Sequence, residues 1–252
     1  MTKILLSGSN GRMGQAIVKL VEDRNDCKIV AGVDINTNIN NDFQVYDSFA
    51  NVPKDLDMDV IIDFTNPSLL VPLADFAKER KTPLVVATTG LTNTEMEYLQ
   101  QTSESTSVLY SANMSLGICL LKDLVKRAVL FLGEGFDIEI IEKHHNQKLD
   151  APSGTALALA DYINSVDNNK YEYIYDRHSR KAKRSPREIG FSAVRGGNII
   201  GDHDVIFAGN NEIIEINHKA LSRDIFAEGA LRAALFLKDK DTGFYTMDDL
   251  LR

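Results

Sequence analysis

The sequence predicts an α/β protein in two parts: a parallel sheet covered by helices, followed by a mixed, mostly antiparallel α+β unit. Short apolar runs alternate with helix-like segments through the first half of the chain, which is the rhythm of βαβ units. The runs at residues 60–62 and 84–86 are apolar at every position, as strands covered on both faces must be. At residues 136–140 apolar side chains instead alternate with acids, which indicates a sheet with one buried face.

Each predicted element follows from this pattern. Pro67 and Pro72 delay the helix after the third strand, because an interior proline removes a backbone donor and clashes with the preceding turn. The final helix is expected to pack back onto the first part. We therefore expect one domain from residues 1–112 and 225–252 and a second from residues 113–224. The predicted strands are 3–7, 28–34, 59–65, 83–88, 107–112, 136–140, 205–208 and 213–216, and the main predicted helices are 12–23, 155–166 and 224–237.

Composition excludes several classes of protein. The chain has 252 residues, of which 44% are hydrophobic and 25% charged, as in folded globular proteins. Its 36 acids outnumber 28 bases, and the net charge of −8 opposes non-specific binding to nucleic acid or to an anionic membrane.

Cys27 and Cys119 lie in different segments and support neither a disulfide framework nor a thiolate zinc site. The apolar residues 4–6 are too few for a signal-peptide core, and charges interrupt 115–132, so we expect a cytoplasmic protein.

Three glycines lie between the first predicted strand and the first predicted helix, where a dinucleotide-binding loop is expected. Gly8, Gly11 and Gly14 would allow a tight turn and bring bare backbone N–H groups close to a pyrophosphate at the helix N-terminus. The spacing is G-x-x-G-x-x-G, whereas the commoner form is G-x-G-x-x-G. The loop predicts a Rossmann-type dinucleotide-binding domain, with a site for some other phosphate ligand as the alternative.

The end of the second predicted strand bears on the choice of cofactor. Asp34 follows Gly14 by 20 residues, where an acid would accept hydrogen bonds from the adenosine ribose. Two unit charges about 4 Å apart repel by up to ~4 kcal/mol at an effective dielectric of ~20, so this carboxylate would disfavour a 2′-phosphate. Ile35 and Asn36 offer no base to pair that phosphate, which favours NADH over NADPH. Arg12 in the glycine loop keeps the use of NADPH open.

The segment at residues 142–155 concentrates proton donors between a strand end and a helix start. His144 and His145 are adjacent on an extended segment and point to opposite sides, so we expect no shared metal ion. One imidazole and the ammonium of Lys148 in a shared pocket would suit general acid catalysis. The alternative is that the histidines are ordinary polar residues at a strand end.

A candidate anion site follows in the same segment. The N–H groups of Gly154 and Thr155 at the start of the predicted helix would hold a substrate carboxylate, with added positive charge from His145 and Lys148. The alternative is that Ser153 or Thr155 only caps the helix.

Residues 142–156 carry the pattern E-x-H-H-x-x-K-x-D-A-P-S-G-T-A, and here the sequence resembles the 4-hydroxy-tetrahydrodipicolinate reductases, also called dihydrodipicolinate reductases. This family belongs to bacterial diaminopimelate and lysine biosynthesis. The resemblance covers almost the whole chain. Further matching segments are residues 8–14, 63–65, 88–90, 112–115, 194–197, 201–203 and 222–223.

The resemblance implies an enzyme that uses NADH or NADPH to reduce a small dicarboxylate substrate with loss of water. It implies that His144 and Lys148 are the acid/base pair, that His145, Gly154 and Thr155 hold the substrate, and that the second domain forms a homotetramer through its open sheet. The implied cofactor contacts are Gly8, Ser9, Asn10, Gly11, Arg12, Met13, Asp34, Ala87, Thr88, Thr89, Ser111, Ala112, Asn113 and Met114.

Two departures and three competing interpretations accompany this resemblance. Ala87 stands where the family often has glycine, and Met114 stands where phenylalanine is frequent, so the packing around a nicotinamide would differ in detail. A nucleotide sensor without catalysis and a different reductase on the same fold are alternatives. The basic residues between 177 and 187 are compatible with nucleic-acid binding, although a solvated loop is the favoured interpretation and no nucleic-acid partner is expected.

Overall fold

The computed structural model describes residues 1–168 and 170–251. The chain divides into two compact units, the first formed by Met1–Leu116 together with the chain from Asp224 onward, and the second by Gly117–Arg223. The first unit thus extends a few residues beyond position 112. Its opening part consists, in chain order, of β1 (Thr2–Ser7), α1 (Arg12–Glu22), β2 (Cys27–Val33), β3 (Val45–Tyr46), β4 (Val60–Asp63), α2 (Leu70–Arg80), β5 (Leu84–Val86), α3 (Asn93–Thr102) and β6 (Ser107–Tyr110).

The second unit, and the segment from Asp224 onward that belongs to the first unit, make up the rest of the chain. Short 3₁₀ turns connect or end elements at Phe49–Asn51, Pro67–Leu69, Gly133–Gly135 and Met247–Leu251. The remaining elements are α4 (Leu116–Leu132), β7 (Asp137–His144), α5 (Gly154–Val166), β8 (Glu172–Ile174), β9 (Glu188–Arg195), β10 (Gly201–Ala208), β11 (Ile213–Ala220), α6 (Asp224–Leu237) and β12 (Gly243–Tyr245).

The sheet of the first unit is parallel throughout and places the candidate cofactor loop. Its strand order is β3-β2-β1-β4-β5-β6-β12, and each neighbouring pair runs in the same direction. The chain order reverses beside β1, so the switch point lies between β1 and β4, where α/β proteins bind ligands at the carboxyl ends of their strands. This confirms the predicted parallel sheet, to which the structure adds the short strands β3 and β12.

The start of α2 confirms the effect predicted for the two prolines. Pro67 opens a 3₁₀ turn in which the Asn66 side chain accepts a hydrogen bond from the N–H of Ser68. The α-helix begins only at Leu70, which puts Pro72 in its first turn. A proline there costs little, because the first N–H groups of a helix have no partner within it.

The second unit contains the mixed sheet that the sequence predicts, with strand order β11-β10-β7-β9-β8. The pairs β11·β10 and β10·β7 are antiparallel, whereas β7·β9 and β9·β8 are parallel. The strand pairs of this sheet are therefore evenly divided between parallel and antiparallel, whereas the sequence predicts a mostly antiparallel arrangement. The reason is that α5 crosses from β7 to β8 and residues 175–187 return to β9, so those three strands run the same way.

Each unit has its own hydrophobic core. In the first, residues of β1, β4 and β5 such as Leu5, Ile61 and Leu84 pack with α2 and α3. In the second, one face of β7 and β10 packs against α4 and α5, and the alternate residues of these strands are partly exposed. Within residues 1–168 and 170–251, no helix combines the length and apolar composition needed to cross a bilayer.

Within the first unit, helix α6 packs against the segment after β6 at a point that requires glycine. A Cβ added to Gly229 would lie 1.7 Å from the backbone oxygen of Met114, a neighbour that is not a flexible side chain. The backbone of α6 therefore approaches the segment after β6 directly.

We predict that Gly229→Ala lowers the free energy of unfolding by about 1–3 kcal/mol, because the added methyl group forces the helix away from Met114. Thermal and urea denaturation would measure this change. Gly135→Ala is the control, since a Cβ at Gly135 meets no atom within 4 Å, and its effect should stay within about 0.5 kcal/mol. Equal stability of the two variants would contradict the prediction.

Candidate functional site

The glycine loop leaves β1 in a conformation that suits bare backbone. Gly8 has a φ of +79°, a conformation that L side chains rarely adopt, and a Cβ there would lie 2.9 Å from the Phe64 backbone oxygen. A Cβ on Gly14 would lie 2.1 Å from the Gly8 carbonyl oxygen, so α1 packs directly on the loop. The N-cap of α1 is Gly11, which has no side chain. The capping residue therefore accepts no side-chain hydrogen bond from the N–H groups at that end of the helix.

Asp34 follows β2 and is held against this loop. Its carboxylate accepts hydrogen bonds from the backbone N–H of Asn10 and of Asn36, both at 2.9 Å. The Asn10 side chain donates to the carbonyl of Asn36 and accepts from Asn41 at 2.9 Å, and Asn41 in turn accepts from Gln15 at 3.1 Å. These bonds fix residues 36–41 beside the loop, a connection for which the sequence offered no signal.

Two cavities flank the loop within the first unit and contain most of the predicted cofactor residues. One measures about 500 Å³ and includes Gly8, Gly11 and Asp34. The other measures about 410 Å³ and is lined in part by Phe64, Thr65 and Phe226, which the sequence analysis did not assign. Seven predicted residues line this second cavity: Arg12, Met13, Ala87, Thr88, Thr89, Ala112 and Met114.

The remaining predicted cofactor residues support the loops around these cavities. Ser9 is fully buried beneath the glycine loop, close to Gly32 of β2. The Ser111 hydroxyl donates to the Asn113 backbone oxygen at 2.7 Å, and the Asn113 side chain accepts from the N–H of Ser115 at 2.9 Å. These contacts order the turn that follows β6.

Asp63 at the end of β4 is a buried carboxylate that ties two neighbouring loops together. It accepts from the hydroxyl of Thr88 at 2.6 Å and from that of Thr65 at 2.7 Å, and its carbonyl accepts from the N–H of Ala87. Burial raises the pKa of Asp63, and the hydroxyl donors offset this only in part. The side chain therefore positions Thr65 and Thr88, which line the smaller cavity.

In the second unit, the end of β7 carries a buried pair of ionisable groups. Glu142 is fully buried and His144 nearly so, and both point to the inner face of the sheet. The Nδ1 of His144 lies 2.6 Å from the Glu142 carboxylate, which also forms a salt bridge with Arg195 on β9 at 2.7 Å. Neither Glu142 nor Arg195 is among the site residues predicted from the sequence.

The predicted lysine lies on the turn after β7 and is paired with a different carboxylate. Lys148 contacts Asp150 at 2.8 Å, and its side chain is 22% exposed. This pairing, together with a bond from the backbone of Gly154, holds the pKa of Asp150 below its usual value. His145 is partly exposed in the same turn, and its carbonyl accepts from the N–H of Lys148. The structure therefore pairs Lys148 with Asp150 and His144 with Glu142.

The start of α5 confirms the predicted helix N-terminus. Ser153 is the N-cap, and its hydroxyl accepts from the N–H of Ala156 at 3.2 Å. The same hydroxyl lies 3.1 Å from Nε2 of His203 on β10, whose ring meets that of His144 edge-on at 5.2 Å. Burial, followed by the neighbouring His144, lowers the pKa of His203 to about 4. His203 is therefore neutral near neutral pH.

The basic segment between β8 and β9 is more ordered than a solvated loop. Its arginines Arg177 and Arg180 bind the buried carboxylate of Glu188 at 2.9 and 2.7 Å, and Arg184 binds Glu139 at 3.0 Å. A backbone hydrogen bond from Ser185 and then the two arginines lower the pKa of Glu188 to about 2. Much of the positive charge is thus neutralised within the unit.

The donors around the glycine loop fit a dinucleotide. The bare backbone at Gly8 and Gly11, the adjoining cavities and the carboxylate of Asp34 are the features that a pyrophosphate and an adenosine ribose require. In the part of the chain that the structure describes, no group of three or more His, Cys, Asp or Glu side chains is arranged to hold a metal ion.

Comparison with known families covers both units. Residues 2–114 match the family model described as dihydrodipicolinate reductase, N-terminus, and residues 117–251 match that described as dihydrodipicolinate reductase, C-terminus. The chain belongs to the dihydrodipicolinate reductase family. The resemblance on which the sequence analysis relied is therefore confirmed, with the glycine loop in one half of the family pattern and the histidine–lysine segment in the other.

Individual relatives extend the match over the full length. The chain is 49% identical over 252 residues to the 4-hydroxy-tetrahydrodipicolinate reductase of Caldanaerobacter subterraneus subsp. tengcongensis, covering 100% of this chain and 99% of that one. It is 49% identical over 251 residues to the enzyme of that name from Clostridium tetani, covering 100% and 97%. Its fold is similar to that of dipicolinate-bound dihydrodipicolinate reductase from Paenisporosarcina sp. TG-14, with a TM-score of 0.80, 22% identity and coverage of 98% and 97%.

We predict that His203 makes stability depend on pH. Its pKa of about 4 in the folded state lies below the value of about 6.5 in an unfolded chain, so the unfolded state binds the proton first. The stabilisation that neutral His203 gives to the folded state is complete above pH ~6.5 and is lost as the pH falls towards 4. The free energy of unfolding falls by about 3 kcal/mol at most as a result. In His203→Gln the melting temperature should therefore fall less steeply over this range.

The control for this measurement is His178→Gln, because His178 is exposed. Its melting temperature should follow that of the unaltered protein at each pH. A His203→Gln variant with the full pH dependence would contradict the assignment.

Proposed function

We propose that this chain catalyses the NAD(P)H-dependent reduction of 4-hydroxy-tetrahydrodipicolinate to tetrahydrodipicolinate with loss of water, in the biosynthesis of diaminopimelate and lysine. The observation that carries the proposal is the 49% identity to reductases of that name over the whole length of both chains. The intact segment at residues 142–156 supports it, because the groups that could donate a proton and hold an anion are all present.

The direct test is a steady-state assay with purified protein, the 4-hydroxy substrate and either NADH or NADPH. The expected result is a fall of absorbance at the reduced-nicotinamide band that depends on both substrate and enzyme. Binding of the cofactor without its consumption would instead favour the nucleotide-sensor alternative. Turnover of a different substrate only would favour another reductase of the same fold.

The first unit is proposed to hold the cofactor. The backbone of residues 8–13 would bind the pyrophosphate, and Asp34 would accept hydrogen bonds from the adenosine ribose. Ala87, Thr88 and Thr89, together with residues 111–114, would line the place of the nicotinamide, with Thr88 oriented by Asp63. A bound reduced nicotinamide supplies a hydride, and the residues of the chain must therefore supply the position and the proton.

We predict a preference for NADH, because a 2′-phosphate bound beside the ribose would add a second negative charge next to the Asp34 carboxylate. The kcat/KM for NADH should exceed that for NADPH, and Asp34→Asn should reduce this ratio by about 10-fold while it keeps an acceptor for the N–H of Asn10. Separate titrations of both cofactors in both proteins measure the ratio. Equal kcat/KM values for the two cofactors in the unaltered protein would contradict the preference.

The second unit is proposed to hold the dicarboxylate substrate. The N–H groups of Gly154 and Thr155, with His145 and Lys148, form a locally positive region in a chain of net negative charge. Asp150 contacts Lys148, and the backbone of Gly154 also favours its charged form, so a substrate carboxylate would take the place of this side chain. The charge of the region therefore suits the substrate class, and the internal carboxylate marks where an anion is favoured.

The proton is proposed to come from Lys148 or His144. Reduction of the ring adds a hydride and a proton to neighbouring carbons, and both side chains can donate a proton in their charged forms. Lys148 is partly exposed and pairs with Asp150, whereas His144 is buried and fixed by Glu142. The ammonium of Lys148 is thus the more accessible of the two donors.

We predict that Lys148→Ala lowers kcat by ~10²-fold or more, as expected for the loss of a general acid, and raises the KM of the substrate through the loss of its positive charge. Steady-state kinetics measure both. The control is Lys78→Ala, which removes a similar lysine–aspartate pair, that of Lys78 with Asp75 on α2, and should leave both constants unchanged. Near-normal kcat in Lys148→Ala would remove lysine from the acid role.

The assembly and location follow from the family assignment as further proposals. The outer face of the second unit's sheet, where alternate residues of β7 and β10 are partly exposed, is proposed to associate in a homotetramer. The enzyme is proposed to act in the cytoplasm on a small dicarboxylate, without a nucleic-acid or membrane partner. Light scattering of the purified protein tests the tetramer.

A further inference from the structure

Both carboxylate oxygens of Glu142 have hydrogen-bonding partners within the second unit. Oε1 accepts from the backbone N–H of Ser153 at 3.0 Å and from Arg195 at 2.7 Å. Oε2 accepts from Arg195 at 2.7 Å and lies 2.6 Å from Nδ1 of His144. Three N–H donors and the Nδ1 of His144 therefore converge on one fully buried side chain.

The charge state of Glu142 decides the arrangement of hydrogen atoms around it. Burial alone would raise the pKa of Glu142, but Arg195 and then His144 outweigh it and hold that pKa below the usual value. An ionised carboxylate can only accept hydrogen bonds. The Nδ1 of His144 must therefore carry a hydrogen, and Nε2 is the ring nitrogen left to gain or lose a proton.

On the side of Nε2, the His144 ring lies close to the backbone of Gly201. A Cβ added to Gly201 at the start of β10 would lie 3.0 Å from Nε2, so a side chain there would press on the ring. His203 on the same strand meets the ring edge-on and is neutral near neutral pH. The charged groups that face the imidazole from β7 and β9 are Glu142 and Arg195.

We propose that Glu142 is a positioning residue that serves both halves of the substrate site at once, and this rests on the proposed function. Its Oε2 fixes the tautomer and orientation of His144, the candidate proton donor. Its Oε1 holds the N–H of Ser153, the residue before the N–H groups of Gly154 and Thr155 that are proposed to bind a carboxylate. Arg195 neutralises the buried charge and bridges the two oxygens.

The first measurement does not depend on catalytic activity. In histidine-labelled protein without substrate or cofactor, the nitrogen-15 shifts of neutral His144 should show hydrogen on Nδ1. The chain has only five histidines, and the absence of one resonance pair in His144→Gln assigns the signal. Hydrogen on Nε2 alone in the unaltered protein would overturn the proposal, whether or not any variant folds.

The second measurement compares Glu142→Gln with the unaltered enzyme. A neutral amide of the same size has one acceptor oxygen for four donors, so the tautomer of His144 should change and the start of α5 should loosen. We expect kcat to fall by ~10²-fold, the lower end of what general acid–base catalysis contributes, and the KM of the dicarboxylate to rise, while the KM of NADH stays unchanged. Unchanged kcat together with an unchanged tautomer would overturn the proposal.

The matched control is Glu188→Gln, since Glu188 is also a fully buried glutamate of this sheet held by two arginines and a backbone N–H. It should lower the melting temperature without changing the His144 tautomer or the kcat. If both variants lose kcat equally, Glu142 is merely structural and the positioning role is overturned. If the unaltered protein shows no turnover at all, the proposed function fails, whereas the nitrogen-15 result still decides the arrangement around His144.

Discussion

A helix cannot satisfy its own first backbone N–H groups, and both regions proposed to bind anions are built at such a helix start. The two starts are completed differently. At α1 the N-cap is Gly11, which brings no side chain to the exposed N–H groups. At α5 the hydroxyl of Ser153 accepts from one N–H group, that of Ala156, and the backbone of Gly154 favours the charged form of the nearby Asp150. The first start suits a ligand phosphate, whereas the second is already partly satisfied by its own chain.

Each unit also has a buried carboxylate near the end of a strand beside its proposed ligand site. Asp63 on β4 accepts hydrogen bonds from neutral threonine hydroxyls, and burial raises its pKa. Glu142 on β7 accepts from the guanidinium of Arg195, and its pKa is lowered despite burial. The difference follows from the donors, because a cation compensates for the lost hydration of a carboxylate far better than a hydroxyl does. Asp63 therefore mainly ties loops together, while Glu142 also brings a fixed negative charge to His144.

The sequence was informative wherever the physical cause is local. The glycine spacing, the delayed start of α2 at its prolines and the capping serine of α5 each act within a few residues of chain, so their pattern is visible without a structure. The partners of Glu142 could not be predicted in this way, because Arg195 lies 53 residues further on and reaches it only through the pairing of β7 with β9. Phe226, on a helix that returns from the far end of the chain, is a similar case.

The pair formed by Lys148 and Asp150 has a consequence for selectivity. Because Asp150 is only two positions away in the chain, it competes for the ammonium at a high and constant effective concentration. A free monocarboxylate that displaced Asp150 would replace one contact with Lys148 by another of the same kind, so its net binding free energy would be small. A rigid dicarboxylate could also bind through its second carboxylate, and this additional contact would favour displacement of Asp150. On the proposed function, the pairing of Asp150 with Lys148 would thus favour a dicarboxylate over a monocarboxylate.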